Sequence, residues 1–171
     1  FGDGNLGTRA TEHMRKAGYD AIIFEGQSDK PIYVYIEDDK VQYFPADEIW
    51  GRGTYDTHDY LYKIYGKGVG ILSIGQGGEN LNRYAMIRSL EGRAGGRPGI
   101  GAVMGSKKLK AIVIKGSKPI PVADPEGMRK LGIEDLRKVG EINKQTGWSI
   151  QSTTGVLSWC NEVAALPVHN M

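Results

Sequence analysis

Two arginines and six glycines share the stretch Gly92-Arg93-Ala94-Gly95-Gly96-Arg97-Pro98-Gly99-Ile100-Gly101-Ala102-Val103-Met104-Gly105-Ser106-Lys107. No other segment of the chain pairs residue types so suited to chemistry. Glycine lets backbone amides come close to a ligand, since no Cβ intervenes and positive φ costs little. Successive amides in such a stretch form a concave trap for an anion. Arg93 and Arg97 add planar, permanently charged forks that match phosphate oxygens. The combination points to a polyanionic ligand held largely by backbone. A plain Gly-rich turn competes as a reading of the glycines alone; the arginines favour the ligand.

The order of residues narrows the ligand. A Walker loop closes with Gly-Lys-Ser or Gly-Lys-Thr, whereas here Gly105-Ser106-Lys107 puts the lysine last, away from where phosphates need it. Gly99-Ile100-Gly101 approaches a dinucleotide fingerprint, but the next glycine, Gly105, is one position late. The strand after it ends in Lys115-Gly116-Ser117-Lys118 rather than in an acid for the ribose. That leaves room only for a 2′-phosphorylated dinucleotide. The basic group Lys107-Lys108-Leu109-Lys110 reads as phosphate contact or as the solvated start of a strand.

These residues need a scaffold. Leu6, Ala10, Met14 and Ala17 predict a helix over 6–17, with Asn5 at the N-cap and Gly18 as the stop. Residues 21–25 read as a short buried strand. Strands at 31–37 and 41–44 flank Asp38-Asp39, the pattern of an antiparallel hairpin. A single helical turn is expected at 47–50. A helix follows over 54–65, capped by Thr54, with Leu61, Ile64 and Tyr65 as its apolar stripe. A strand over 69–74 ends in a loop at 75–80; residues 84–87 lead into the glycine stretch, and a strand at 111–114 leaves it. Hairpins and helices in mixed order predict an α+β domain. The proline-rich segment 118–125 marks a boundary between residues 1–121 and 122–171. Asp124 then caps a helix that has Pro125 at its first position. A last helix over 154–165 groups Val156, Trp159, Cys160 and Val163 on one face and must stop before Pro167. Nothing after residue 121 is expected to fold alone.

A net charge of +2 on 171 residues is too small to argue for nucleic acid or an anionic membrane surface. No apolar run approaches the roughly 20 residues of a membrane-spanning helix, and no signal-peptide pattern opens the chain. Cys160 stands alone, which excludes a disulfide framework and a Cys-x-x-Cys metal site; a lone thiol fits a reducing compartment such as the cytoplasm. The chain opens on Phe1 and stops at Met171 without a terminal cap, so it reads as a fragment.

Beyond these properties, Arg93-Ala94-Gly95-Gly96-Arg97 with Gly99-Ile100-Gly101-Ala102-Val103-Met104-Gly105-Ser106-Lys107-Lys108-Leu109-Lys110-Ala111-Ile112 resembles the N-terminal domain of the aldehyde ferredoxin oxidoreductases. The resemblance extends to Lys16-Ala17-Gly18-Tyr19-Asp20-Ala21-Ile22, Glu25-Gly26, Ile74-Gly75 and Gly78-Glu79-Asn80. It continues through Pro121-Val122-Ala123-Asp124 to Ala165-Leu166-Pro167-Val168 and Asn170.

The resemblance implies a tungsten (or molybdenum) bis-pyranopterin enzyme that oxidises aldehydes to carboxylic acids. A magnesium ion would bridge the pterin phosphates, and a 4Fe-4S cluster would pass electrons to ferredoxin. It also implies a two-sheet base on which the pterins lie, followed by the start of an α-helical domain, and a homo-oligomeric parent. Cysteines for the cluster, a Cys-x-x-Cys-x-x-x-Cys run and one more, are expected outside this segment, which contributes no catalytic residue and is expected to be inactive alone. Arg93 and Arg97 match family positions beside the pterin pair. Asn5 and Ala94 match positions whose carbonyls ligate the magnesium, oxygen being the preferred donor of a hard cation. Gly7 and Gly96 match positions where backbone meets pterin. Asn5 also remains a helix cap, since a cap uses the side chain and the metal the carbonyl.

Departures from the family pattern are local. Asn5-Leu6-Gly7-Thr8-Arg9 stands where Asn-Ser-Gly-Gly and an aromatic residue are usual, so Thr8 is expected to crowd a pterin edge. Arg9 either adds a phosphate contact or faces water. Pro98 replaces a glycine and removes an amide donor. His13 and His58 read as packed or solvated, and His169 carries no role. Glu79 either caps its loop or orients the pterin floor. The tyrosines at 33, 35, 43, 60, 62 and 65 are expected to pack around the sheets. Aryl-CoA reduction and a non-catalytic pterin scaffold remain the alternatives to aldehyde oxidation.

Overall fold

The computed structural model of the chain describes residues 3–89, 92–97, 99–146, 150 and 152–166. The expected positions Pro98, Pro167, His169 and Asn170 lie outside them. Alternating β-branched and aromatic residues build the hairpin of β1 (Ile32–Glu37) and β2 (Lys40–Pro45), in which Val34 faces Tyr43 and Ile36 faces Val41. Asp38 turns the chain at φ 50, a conformation that aspartate tolerates. Its carboxylate accepts from the Ser117 N–H (2.8 Å) and hydroxyl (2.6 Å), tying the turn to the end of the neighbouring strand.

Among the described residues six strands form one mixed sheet in the order β2-β1-β6-β3-β4-β5. β3 is Gly70–Ser73, β4 Ile87–Ser89, β5 Ala94–Gly95 and β6 Leu109–Lys115. β1 and β6 run parallel, while the remaining pairs are antiparallel. The α+β class is as expected; the described strands lie in one sheet where the resemblance implied two. The reason is connectivity. The long segment between β1 and β6 returns to the sheet through β3 and β4, so the glycine-bearing strand β5 extends the same sheet.

Each face of the sheet buries its own apolar cluster. On one face Tyr33, Tyr35, Ile71, Ala111 and Val113 pack with Leu61 of α2 (Thr54–Tyr65) and with Ala46 and Ile49. Tyr35 stacks on Tyr65 with ring centroids 4.3 Å apart, and the Tyr33 and Tyr65 hydroxyls meet at 3.1 Å. Burial raises the Tyr65 phenol well above its ordinary range. On the other face Val34, Ile36, Ile112 and Ile114 pack with Ala10 of α1 (Arg9–Ala17) and with Met104. Tyr43 departs from the expectation: it is exposed on the outer strand β2.

Three expected elements change. Helix α1 begins at Arg9 and is capped by Thr8, whose hydroxyl accepts from the Ala10 N–H at 3.1 Å, so Asn5 is not the cap. Residues 21–25 are not a strand: β2 and β6 occupy both edges of β1, so this segment does not pair with β1. Ile22 and Phe24 instead pack on the sheet face while Ile23 stays 82% exposed. The expected loop at 75–80 contains a helical turn, α3 (Gln76–Glu79). Helix α2 spans its expected range, but Gly53 rather than Thr54 is the cap, and Thr57 and His58 are buried where Ile64 is not.

The chain divides into two compact units, Phe1–Ile120 and Pro121–Met171. In the second, α5 (Pro125–Thr146) starts as expected, the Gly127 N–H donating to Asp124 Oδ1 at 2.9 Å. The expected last helix is a 3-10 turn, Ser152–Val156, followed by α6 (Leu157–Glu162). None of these three helical segments buries a residue. No described helix is long and apolar enough to cross a membrane.

Candidate functional site

Ordinary ladder geometry positions the arginine-bearing segment. The Ser89 N–H donates to the Arg93 carbonyl at 2.9 Å, while Arg88 and Ala94 face one another in register. Hydrogen-bonded and non-hydrogen-bonded pairs alternate along an antiparallel ladder, so Arg88 and Ala94 form the non-bonded kind. The Ala94 carbonyl therefore turns away from β4, toward the free edge of β5. Residues 4–6 pass close to Gly95–Arg97. A Cβ built on Gly95 would lie 3.3 Å from the Asn5 carbonyl and 3.1 Å from Leu6, and one on Gly4 would lie 2.9 Å from the Arg97 carbonyl.

The structure thus brings together two segments that the sequence separates by about ninety residues. Asn5, Gly7, Arg93, Ala94 and Arg97 are exposed, and Gly96 is half-buried. Around Gly7 the space that a Cβ would take is open, with no heavy atom within 4 Å. Thr8, expected to crowd a ligand, has a structural task as the cap of α1. Arg9 is exposed.

The later glycines serve a different purpose. In α4 (Ile100–Ser106), a Cβ on Gly105 would run into the Gly78 carbonyl, and one on Gly101 would sit 2.7 Å from the Met86 carbonyl. Gly99 takes φ 87 and faces the Arg83 carbonyl at similarly close range. Here backbone meets backbone, so glycine is required for packing rather than for a ligand. Gly96 differs from these: a Cβ there would strike the Met86 side chain rather than backbone.

The basic cluster after α4 is also internal. Lys107 Nζ donates to the Gly26 carbonyl at 3.1 Å and Lys108 Nζ to the Asp29 carbonyl at 2.7 Å. Lys110 is fully buried; its ammonium donates to Glu79 Oε1 and, at 2.7 Å, to the Arg52 carbonyl. Glu79, with only 5% of its side chain exposed, also accepts from the Gly51 N–H at 2.9 Å. Burial pushes the Lys110 ammonium down while the Glu79 hydrogen bond and charge hold it up. A register shift places Lys110 as the extra residue of β6 between Leu109 and Ala111, the bulge geometry that re-aims a side chain. This pair was not foreseen. A lysine inside Leu109-Lys110-Ala111-Ile112 was the available signal, since a charge in an apolar strand needs a partner.

Beside Ala94 lies a cavity of about 330 Å³, lined among others by Thr54, Gly75, Gly77, Arg88 and Met86. The Arg88 guanidinium lies over the Tyr55 ring, 4.1 Å from its centroid, and donates to the Tyr55 hydroxyl. His13 Nδ1 accepts from the Gly116 N–H at 3.3 Å, and buried His58 Nε2 meets Ser73 Oγ at 2.8 Å. Both histidines serve the packing. Among the described residues no group of three or more His, Cys, Asp or Glu side chains is placed to hold a metal.

Residues 1–116 match the family model of the aldehyde ferredoxin oxidoreductase N-terminal domain. The chain belongs to the aldehyde ferredoxin oxidoreductase family. It is 40% identical over 168 residues to the tungsten-containing aldehyde ferredoxin oxidoreductases of Thermococcus kodakarensis and of Pyrococcus furiosus, covering 97% of this chain and 28% of each relative. It is also 40% identical over 171 residues to the WOR-like subunit of an aliphatic sulfonate oxidoreductase of Pyrococcus furiosus, covering 92% of this chain and 27% of that protein. The active-site complex BamBC of benzoyl coenzyme A reductase, solved with 1,5-dienoyl-CoA, matches 80% of this chain and 21% of its own with a TM-score of 0.73 and 37% identity. All of these relatives are named as redox enzymes or as parts of them. The chain spans just over a quarter of the length of the curated relatives it matches.

Proposed function

We propose that this segment is the cofactor floor of a tungsten (or molybdenum) bis-pyranopterin oxidoreductase that oxidises aldehydes to carboxylic acids. The observation that carries this reading is the close approach of residues 4–6 to Gly95–Arg97, beside the exposed Arg93 and Ala94. Two exposed guanidiniums and outward-facing backbone suit a dianionic phosphate pair, and carbonyl oxygens suit a hard divalent cation. The residues present fit the group.

In this reading Arg93 and Arg97 would hold the pterin phosphates, the carbonyls of Asn5 and Ala94 would hold the magnesium, and Gly7 and Gly96 would admit the pterin to the backbone. The bound metallopterin supplies the two-electron redox chemistry. The chain's own part is to bind, orient and neutralise charge. A 4Fe-4S cluster, ferredoxin as electron acceptor and a homo-oligomeric cytoplasmic enzyme complete the proposal; cluster cysteines and proton-transfer groups belong to parts of the relatives with no counterpart here. Residues 1–121 act as the cofactor base and residues 122–171 as the start of a helical domain.

Metal and pterin analysis of the full-length protein tests the reading. The expected result is tungsten or molybdenum with two pterins and one magnesium, together with iron. A protein purified without these groups would be the non-catalytic scaffold instead. Reduction of an aryl-CoA thioester is the second enzymatic reading, favoured by the likeness to the benzoyl coenzyme A reductase complex. Parallel assays with simple aldehydes and with an aryl-CoA ester separate the two.

A further inference from the structure

Among the described residues that line the cavity beside Ala94, Arg88 is the one charged side chain and none is a carboxylate. Among the described residues Arg88 joins no ion pair. Its guanidinium is instead propped on a neutral ring by stacking over Tyr55 and by donating to the Tyr55 hydroxyl. Stacking uses the face of the guanidinium and the hydroxyl uses one of five N–H donors. The remaining donors stay available along the guanidinium edge. Arg88 stands directly across the ladder from Ala94, and both residues line the cavity. Gly75 and Gly77 leave the cavity wall without side chains.

We propose that Arg88, held by Tyr55, is a third anchoring arginine, and that the cavity under Ala94 takes a phosphate-class oxyanion, one end of a diphosphate or phosphate ester. This rests on the cofactor-floor reading for its biological ligand but not for its chemistry. The phosphate belongs either to the pterin cofactor or to a phosphorylated substrate handle. Arg88 is a binding residue, and Tyr55 positions it.

The test uses the full-length protein in cofactor-free form with inorganic pyrophosphate as the probe, followed by calorimetric titration at low ionic strength. Arg88→Met keeps the apolar stem and removes the fork; Tyr55→Phe keeps the ring and removes the prop's hydroxyl. Arg88→Met is expected to weaken pyrophosphate about ten-fold or more, the scale of a charge-assisted hydrogen bond. It should also flatten the salt dependence while leaving the thermal midpoint unchanged, and Tyr55→Phe should give a smaller loss. Unaltered affinity in Arg88→Met, or no pyrophosphate binding by the parent protein, overturns the proposal. Metal content then separates the sources. Loss of tungsten in Arg88→Met assigns the phosphate to the cofactor; retained tungsten with weaker pyrophosphate assigns it to a substrate. If Arg93→Ala/Arg97→Ala loses tungsten while Arg88→Met changes neither readout, the cofactor floor stands and this inference falls. If the parent protein never holds tungsten yet binds pyrophosphate through Arg88, the reverse is true.

Discussion

One glycine-rich stretch contains two regions with opposite physics. From Gly99 to Gly105 the missing side chains let helix α4 press its backbone against Gly78, Arg83 and Met86. From Arg93 to Arg97 the chain runs along a free sheet edge, with both arginines and Ala94 exposed and residues 4–6 alongside. In the first region glycine is a packing requirement. In the second, arginine charge and outward carbonyls do the work attributed to the whole stretch. Glycine content alone therefore does not mark a ligand site; what a Cβ would strike tells the two uses apart.

Mutations should separate the regions. The largest effect is expected on the packing side, at the buried pair that anchors α3 beneath α4. Lys110→Met leaves the Glu79 carboxylate buried without its cation, a change that costs about 3–5 kcal/mol; chemical denaturation should show it, and a loss under about 1 kcal/mol would mean that water reaches the pair. Gly105→Ala forces a methyl into the Gly78 carbonyl, so a loss of about 3 kcal/mol, the upper range for overpacking, should appear in the same measurement. Gly7→Ala reverses the pattern. Its Cβ points into open space, so stability should hold within about 0.5 kcal/mol while cofactor content of the full-length protein falls. Equal stability losses at Gly7 and Gly105 would erase the distinction between the regions.

The smallest effect lies away from both regions, in the hairpin turn, and provides a baseline. Hydrogen bonds from the Ser117 hydroxyl and backbone N–H hold the Asp38 carboxyl below its ordinary value of 3.8. On acidification the unfolded chain takes up this proton first, so the contribution is complete above that value and disappears as pH falls through the folded one. Asp38→Asn should lower stability slightly at neutral pH, flatten the acid limb of the stability profile and leave cofactor content alone. An unchanged acid limb would discount the Asp38–Ser117 contact.

Much of the scaffold was legible in local pattern. The β1–β2 hairpin follows from alternation around Asp38-Asp39, and α5 follows from Asp124-Pro125. What was not legible depends on partners distant in sequence. Residues 21–25 are apolar enough for a strand, but whether an edge is free depends on β6, some eighty residues later. His58 is buried because Ser73 meets it, and α2 accordingly turns a different face inward than its apolar residues alone imply. The Lys107–Lys110 cluster reads as a charged surface until the carbonyls of Gly26, Asp29 and Arg52 are placed beside it. For the candidate site, residue types and spacing singled out Asn5, Gly7, Arg93, Ala94 and Arg97. That residues 4–6 come close to Gly95–Arg97 became visible only in the folded chain.

The most direct test is tungsten stoichiometry in the full-length protein carrying Arg93→Ala and Arg97→Ala together. Both side chains are exposed, so folding should be preserved, with thermal unfolding close to the parent's. The account predicts that the folded variant loses most of its tungsten and pterin. A folded variant that keeps the parent's full complement of both would contradict it.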